Sequence, residues 1–218
     1  MDRAALNDFL SHASKAIHRL GDPAPAAVPE VPEGELYVGV DLGTAYLTVV
    51  VLDEQQHLLA GEFTFAEVAR DGLVVDYIGA VDLVRQMKAG LEERLGRDLR
   101  LAASGYPPGV PLIEVRATAN VVEAAGFVCT GLVDEPSAAN ALIHLEDGVI
   151  VDVGGGTTGI AIVQQGEVVY TADEATGGTH LSLVIAGARN ISFEQAESQK
   201  IDPQRQPELF PTIRPVLE

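Results

Sequence analysis

Two segments of the chain each place an aspartate and a glycine turn between two apolar runs, a pattern that can hold phosphate. Residues 38–44 read VGVDLGT, residues 149–158 read VIVDVGGGTT, and a second apolar run follows each of them. Two β-branched runs joined by a glycine turn are typical of a β-hairpin. The repeat therefore predicts a duplicated phosphate clamp, meaning two glycine turns that share one polyphosphate, and hence a nucleotide ligand.

The turns themselves supply the expected phosphate contacts. Glycine leaves backbone N–H groups uncovered, and concave turns of this kind bind phosphate oxygens. Threonine hydroxyls beside them add further donors. The predicted contact residues are Gly43, Thr44, Gly154, Gly155, Gly156, Thr157 and Thr158. The alternative is that both turns merely close tight hairpins, but the second copy, with three consecutive glycines, argues against it.

Asp41 and Asp152 end the first strand of each hairpin, beside the predicted phosphate site. A carboxylate next to phosphate is repulsive unless a cation lies between them. Mg²⁺ fills this role and usually keeps several of its waters, with few protein carboxylates around it. The two aspartates therefore predict a Mg²⁺–nucleotide complex held between the two halves of the chain.

Glu135 is a third candidate, in the sequence DEPSAA at residues 134–139, where a predicted strand passes into a helix. Ligands of α/β proteins bind where strand ends gather. From that place Glu135 could orient or deprotonate an attacking water. The alternative is a carboxylate that only stabilises the start of a helix through the macrodipole.

Strand-like and helix-like segments alternate from residue 36 onward, which is typical of an α/β protein. The predicted strands cover 36–41, 45–52, 57–65, 99–104, 127–133, 149–152, 160–164 and 167–172. The predicted helices cover 77–96, 112–126, 136–145 and 177–187, and a further one starts at the capping-box sequence that begins at Ser192. Four prolines between Asp202 and Glu218 predict an irregular or incomplete last segment.

The predicted organisation has four parts. Residues 1–20 form an amphipathic helix, residues 21–34 a proline-rich linker, residues 35–145 a first lobe and residues 146–218 a second lobe that is partial. The N-terminal helix has two interpretations. It either docks on the main domain or serves as a tethered docking peptide for a larger assembly.

Composition excludes several classes of partner and site. The 218 residues carry 14 basic and 32 acidic side chains, a net charge of −18, which disfavours nucleic acid and anionic lipid as partners. Cys129 is the single cysteine, so an intramolecular disulfide is excluded, and no Cys/His spacing fits zinc. No apolar run has the length of a membrane span, and the N-terminus lacks a secretion signal. We therefore expect a cytoplasmic protein.

The order of these motifs, with Gly177-Gly178 after them, resembles the superfamily of actin, the heat-shock chaperones and the sugar kinases. More narrowly, the chain is similar to the EutJ family of ethanolamine-utilization proteins. The resemblance covers about residues 36–218 and is most specific through Gly178. It rests on residues 39–44, 70–72, 134–136, 152–163, 173–178 and 196–200.

This resemblance implies a ribonuclease-H-like α/β core of the actin/DnaK type, with ATP or ADP and Mg²⁺ in a cleft. It implies that Asp41 and Asp152 hold Mg²⁺ through water, that Glu135 and Asp152 are the catalytic pair, and that Gly177 and Gly178 lie near the ribose and phosphates. The implied role is that of a DnaK-like chaperone in ethanolamine utilization, associated with a bacterial microcompartment. A protein client or an ethanolamine-pathway enzyme would be its partner.

Three departures from the superfamily predict weak binding and slow or absent hydrolysis. Gly159 stands where the chaperones carry an acidic residue. The only lysines are Lys15, Lys88 and Lys200, and the sequence places none of them at the phosphates, which leaves Arg70 as another candidate cation. No Gly-Gly motif for adenosine follows Gly178. The alternative function is a non-enzymatic interaction or scaffold module of a metabolic assembly that has lost nucleotide turnover.

Overall fold

A computed structural model of the chain describes residues 3–22, 31–70 and 73–218. Most of the predicted linker and part of the motif at 70–72 lie outside these ranges. The strands are β1 Ile17–Arg19, β2 Tyr37–Leu42, β3 Tyr46–Leu52, β4 Leu58–Phe65, β5 Ala69–Arg70, β6 Leu73–Val74, β7 Leu101–Tyr106, β8 Val128–Asp134, β9 Gly148–Val153, β10 Thr158–Gln164 and β11 Glu167–Glu174. The helices are α1 Arg3–Ala16, α2 Tyr77–Leu95, α3 Leu112–Ala124, α4 Glu135–Ile143, α5 Gly178–Arg189, α6 Phe193–Ile201 and α7 Gln206–Leu217.

Two sheets carry the candidate site. The larger has six strands in the order β1-β4-β3-β2-β7-β8, in which β2, β3 and β4 are antiparallel neighbours and β7 and β8 run parallel to β2. The smaller has three antiparallel strands in the order β11-β10-β9. The two predicted hairpins are confirmed as β2–β3 and β9–β10. In these hairpins Asp41 pairs with Thr48, and Asp152 pairs with Gly159.

The main core lies between α2 and the larger sheet. Apolar residues of α2 recur at helical spacing, and Val84, Met87 and Leu91 are fully buried against the sheet. The helix begins where the Asp76 side chain accepts a hydrogen bond from the Gly79 amide. It ends at Gly96, whose φ of 64° is a left-handed conformation that glycine adopts without a steric penalty.

Two smaller cores support the second half of the chain. One joins the smaller sheet to α4 and centres on Ile150, Ala161 and Val163. The other joins α5, α6 and α7 through Ile185, Ala196 and Leu209. The capping box predicted at Ser192 is present, because its hydroxyl accepts from the Gln195 amide while the Gln195 side chain accepts from the Ser192 amide.

Two predictions about the ends of the chain are wrong. The N-terminal helix stops at Ala16, and Ile17–Arg19 continues as a strand on the edge of the larger sheet. Residues 202–218 are not irregular, because α7 covers Gln206–Leu217 with Pro211 and Pro215 inside it. Packing explains why α7 forms despite its prolines. The fully buried Leu209 anchors α7 to α5 and α6, and this burial compensates for the backbone hydrogen bonds that the prolines remove.

Within the described ranges, no helix combines the length and the apolar character that crossing a bilayer demands.

Candidate functional site

The two predicted glycine turns face each other across the two halves of the chain. A Cβ at Gly155 would lie 2.6 Å from the Cβ of Ala45, and a Cβ at Gly156 would lie 2.6 Å from the hydroxyl oxygen of Thr44. Any larger residue at either glycine would push the two turns apart. The glycines therefore permit the close approach of the two turns.

A third glycine turn, at Gly177-Gly178, packs onto the second. The Gly178 amide donates to the Gly154 carbonyl over 2.8 Å, and the Thr179 amide donates to the Gly155 carbonyl over 2.8 Å. A Cβ at Gly177 would lie 2.6 Å from the Gly154 carbonyl oxygen, so only glycine fits there. This turn therefore packs directly beside the second glycine turn.

The second turn keeps donors available for an anion. Its Gly154 amide is used by the Thr157 carbonyl, whereas the Gly155 and Gly156 amides donate to no acceptor within the part of the chain that the structure describes. The two threonines contribute less than predicted. Thr157 is buried, and the Thr158 hydroxyl donates to the Thr176 carbonyl over 2.6 Å.

The three predicted carboxylates lie close enough for their charges to interact. The charge of Asp152 acts on Asp41, and the charges of both aspartates act on Glu135. Desolvation within the cleft, and then the charge of Asp152, raise the pKa of Asp41 to about 6. Asp41 as a whole residue is nevertheless exposed to solvent, so screening limits the cost of its ionisation. Desolvation also raises the pKa of Asp152. Desolvation, followed by the charges of Asp41, Asp152, Asp173 and Asp134, raises the pKa of Glu135 to about 8.

Local structure places Glu135 at this point. Asp134 ends β8 and caps α4, because its side chain accepts a hydrogen bond from the Ser137 amide over 3.0 Å. Pro136 suits the first turn of the helix, where its missing N–H has no partner to lose. Glu135 is therefore the first residue of α4 and projects from the carboxyl end of a strand of the larger sheet.

Asp173 belongs to the same group, and the sequence did not single it out. Gly159 on β10 pairs with Asp152 of β9 on one side and with Asp173 of β11 on the other. Residues directly opposite in a sheet share a face, so both carboxylates flank Gly159 on one face. Pro136 covers Gly159, since a Cβ there would lie 3.1 Å from its Cγ. Strand β11 thus places the Asp173 carboxylate beside Gly159, the position at which this chain has no acidic residue.

Lys200 also reaches the site, although sequence reasoning did not place it there. Its Nζ donates to the Gly178 carbonyl over 2.9 Å and to a carboxylate oxygen of Glu197 over 2.7 Å. The spacing of Glu197 and Lys200 on α6 puts both on the side that faces α5. The one sequence signal for this pair is that Glu197 and Lys200 both lie in the stretch 196–200, which resembles the EutJ family.

A cavity of about 550 Å³ adjoins the clamp. Thr44 and Arg70 line it from the first half of the chain, and Gly156, Thr179 and His180 line it from the second. The His180 Nδ1 accepts the Gly177 amide, so its neutral ring carries the proton on Nε2. Asp41, Asp152 and Glu135 do not line this cavity and lie beyond the glycine turns.

The carboxylates near Glu135 are not arranged to ligate a metal ion directly. Across residues 3–22, 31–70 and 73–218, no three His, Cys, Asp or Glu side chains converge closely enough to ligate a metal ion. A divalent cation here would reach Asp41 and Asp152 through its own waters, which Mg²⁺ retains readily.

Comparisons with known proteins agree with this architecture. The family model described as MreB/Mbl protein matches residues 60–187, more than half of the chain. The ethanolamine utilization protein EutJ of Escherichia coli (strain K12) is 44% identical over 190 residues, which are 87% of this chain and 66% of that protein. The chain therefore spans just under two thirds of the length of this curated relative.

Solved structures support the same family and the same fold. The crystal structure of EutJ from Carboxydothermus hydrogenoformans has a TM-score of 0.86 at 44% identity and covers 98% of this chain and 76% of its own. MreB 5 of Spiroplasma citri bound to AMPPNP has a TM-score of 0.60 at 23% identity, covering 78% and 62% of the two chains, which shows a common fold. The predicted actin/DnaK-type α/β fold is thereby confirmed, and the chain belongs to the EutJ family of ethanolamine-utilization proteins.

Proposed function

We propose that this member of the EutJ family is a chaperone-like protein of ethanolamine utilization that binds Mg²⁺ with ATP or ADP and hydrolyses ATP slowly or not at all. The observation that carries the proposal is the contact between Thr44-Ala45 and Gly155-Gly156, with carboxylates from both halves of the chain beside it. A polyphosphate in the adjoining cavity would contact Thr44 from one half of the chain and Gly156 from the other, and so tie the two halves together.

The clamp offers three kinds of contact to phosphate. The Gly155 and Gly156 amides are available as donors among the described residues. The Nε2–H of His180 and the Arg70 side chain line the adjoining cavity. Lys200, which is ion-paired with Glu197, places its ammonium group at the Gly178 carbonyl. These donors suit a small polyanion even though the chain as a whole carries a net charge of −18.

The raised pKa values of Asp41, Asp152 and Glu135 support a role for a divalent cation. Crowded carboxylates hold protons until a positive charge compensates them. A bound Mg²⁺ would supply that charge, polarise the phosphate oxygens and keep Asp41 and Asp152 ionised. Asp173 would then contribute to the same negative face.

Glu135 limits hydrolysis in this proposal. In the cation-free protein its pKa of about 8 keeps Glu135 protonated at neutral pH, so it accepts a proton from water only after a bound cation has lowered that pKa. Pro136 packs over Gly159, where a Cβ would lie 3.1 Å from the proline Cγ, so an acidic side chain there would require Pro136 to shift. Both features favour slow turnover.

The cellular part of the proposal rests on the family. MreB 5 of Spiroplasma citri is described with AMPPNP and with ADP, which fits nucleotide binding in this fold. The motif order resembles the heat-shock chaperones, and the relatives' name places EutJ in ethanolamine utilization. A protein client or a pathway enzyme as partner, and association with a bacterial microcompartment, belong to the same proposal.

Isothermal titration of the full chain with ATP and Mg²⁺ tests the proposal. We expect saturable heat that Asp152→Ala abolishes and that Glu123→Gln, an exposed change on α3, leaves intact. Absence of heat at millimolar nucleotide, or an Asp152→Ala titration identical to wild type, would contradict it.

A second candidate function is a non-enzymatic interaction module, favoured by the closed position at Gly159. Its partner would contact the N-terminal helix, where Leu10 is exposed on α1. Affinity purification from cell extract with wild type and Leu10→Asp separates the two ideas. Loss of a specific protein from the Leu10→Asp sample, together with no nucleotide heat, favours the module.

A further inference from the structure

The N-terminal segment, residues 3–22, covers one edge of the larger sheet. Its strand β1 runs parallel to β4, with Ile17 opposite Gly61 and Arg19 opposite Phe63. The Leu20 amide extends this pairing by donating to the Phe63 carbonyl over 2.8 Å. The pairing is only three residues long on an eight-residue strand.

Gly61 forms the seat for Ile17. A Cβ at Gly61 would lie 2.8 Å from the Cγ1 of Ile17, closer than two carbon atoms can approach. The missing side chain therefore makes a recess into which a branched apolar side chain from the added strand fits. An added Cβ would also lie 3.2 Å from the Val49 carbonyl oxygen and from the Val50 Cγ1, contacts that need shifts of a few tenths of an ångström, whereas the 2.8 Å contact with Ile17 lifts β1 away from β4.

The next pair in the register forms a buried polar contact. Arg94 on α2 donates to the His18 Nδ1 over 2.9 Å and to the Ala16 carbonyl over 3.2 Å. A guanidinium only donates, so the neutral His18 ring carries its proton on Nε2, which lies 3.5 Å from a carboxylate oxygen of Glu62. Burial, and then the charge of Arg94, lower the pKa of His18, which agrees with a neutral ring.

This contact is incompletely satisfied. Glu62 Oε2 and Arg94 Nε are buried and have no hydrogen-bond partner among the residues that the structure describes. Buried polar atoms without partners weaken the docking of the segment that covers them. The main core beneath β2 to β4 contains no buried residue of the segment, and only the partly buried Leu20 packs against it.

We propose that the β4 edge is a strand-binding site that the chain's own N-terminal segment occupies and that the same segment from a second copy can occupy in its place. The site fits a parallel extended strand with a branched apolar residue over Gly61 and a neutral hydrogen-bond donor toward Glu62. Addition of a strand to an open sheet edge is a general mode of peptide recognition.

Two observations favour a second copy of the chain as the source of the strand that adds to β4. Its segment reproduces every contact made by Ile17, His18 and Leu20, so no new complementarity is needed. Residues 3–22 also carry three basic and two acidic side chains, whereas the whole chain carries 14 and 32. The segment is thus the part of one copy that approaches another acidic copy with the least repulsion.

The test uses the full chain and a fluorescent synthetic peptide of residues 3–22, measured by anisotropy. Ile17→Asp in the chain should detach its own strand and raise peptide affinity at least about tenfold over wild type, because a tethered segment competes at roughly millimolar effective concentration. A peptide carrying the same Ile17→Asp change is the matched control and should not bind.

Complementary substitutions identify the site. Gly61→Ala added to the Ile17→Asp chain should abolish binding of the wild-type peptide, and a peptide with Ile17→Ala should restore it by removing the colliding Cγ1. Circular dichroism checks folding, and the Ile17→Ala chain replaces Ile17→Asp if that variant unfolds. No affinity gain in the folded variant, or binding that ignores Gly61→Ala, overturns the proposal.

Native mass spectrometry of the wild-type chain then tests the second copy as the source. We expect a dimer that grows with concentration and that Gly61→Ala suppresses, while Asp8→Asn, an exposed change on α1, leaves it unchanged. A wild-type chain that stays monomeric at every concentration, or a dimer insensitive to Gly61→Ala, overturns the exchange. Both experiments are independent of nucleotide.

Discussion

Glu135→Gln should stabilise the nucleotide-free protein at neutral pH. Glu135 stands at the start of α4, where desolvation and four nearby aspartates, Asp41 foremost, raise its pKa to about 8. Glutamine keeps the shape of the side chain and removes the charge. The substitution therefore removes the free-energy cost of protonating, in the folded state, a carboxyl that is ionised in the unfolded state at neutral pH.

The sign and size follow from linkage. The folded pKa of Glu135 lies above its ordinary value of 4.5, so its contribution to stability is present below pH 4.5 and is lost as pH rises through about 8. At about 1.4 kcal/mol per pH unit, a fully enclosed group would lose about 3 kcal/mol by pH 7. Because Glu135 is partly reached by solvent, we expect Glu135→Gln to recover about 1–2 kcal/mol.

Urea denaturation of the full chain without Mg²⁺ or nucleotide measures this effect at pH 4.5, 6, 7 and 8. The advantage of Glu135→Gln should be near zero at pH 4.5 and grow toward pH 8. Glu123→Gln, an exposed change on α3, is the control and should follow wild type at every pH. A difference between Glu135→Gln and wild type that is constant with pH, or destabilisation at pH 8, would refute the electrostatic reasoning.

Four further predictions concern the site and the fold. The affinity of Mg²⁺ in calorimetry should rise between pH 5 and 8 with release of protons, because the cation binds ionised carboxylates and the pKa of Asp41 is about 6; an affinity independent of pH would contradict this. Gly177→Ala should abolish nucleotide heat, since its Cβ would lie 2.6 Å from the Gly154 carbonyl oxygen, and unchanged heat would show that the turn is not needed. Leu91→Ala should lower the free energy of unfolding by about 2–5 kcal/mol in urea, because Leu91 is fully buried, whereas a loss below about 1 kcal/mol would mean that the core refills the space. Asp76→Ala should cost about 1 kcal/mol through the lost cap of α2, and Asp76→Asn should restore most of it.

The sequence alone determined the local features of the site. The hairpins β2–β3 and β9–β10 follow from β-branched runs joined by glycine turns, and both formed as predicted. Helix α2 follows from apolar residues at helical spacing and from Gly96 as its stop. Each of these signals lies within a window of about 20 residues, where backbone preference and burial of one face act together.

Only the tertiary structure decided which side chains meet. Asp173 reaches the carboxylates through the register of β11 on β10, and Lys200 reaches Gly178 through the packing of α6 on α5. The proline-rich α7 and the strand β1 also depend on partners distant in sequence, at Ile185 and Gly61. Register and packing depend on contacts between separate segments, so the amino-acid pattern of any one segment leaves them open.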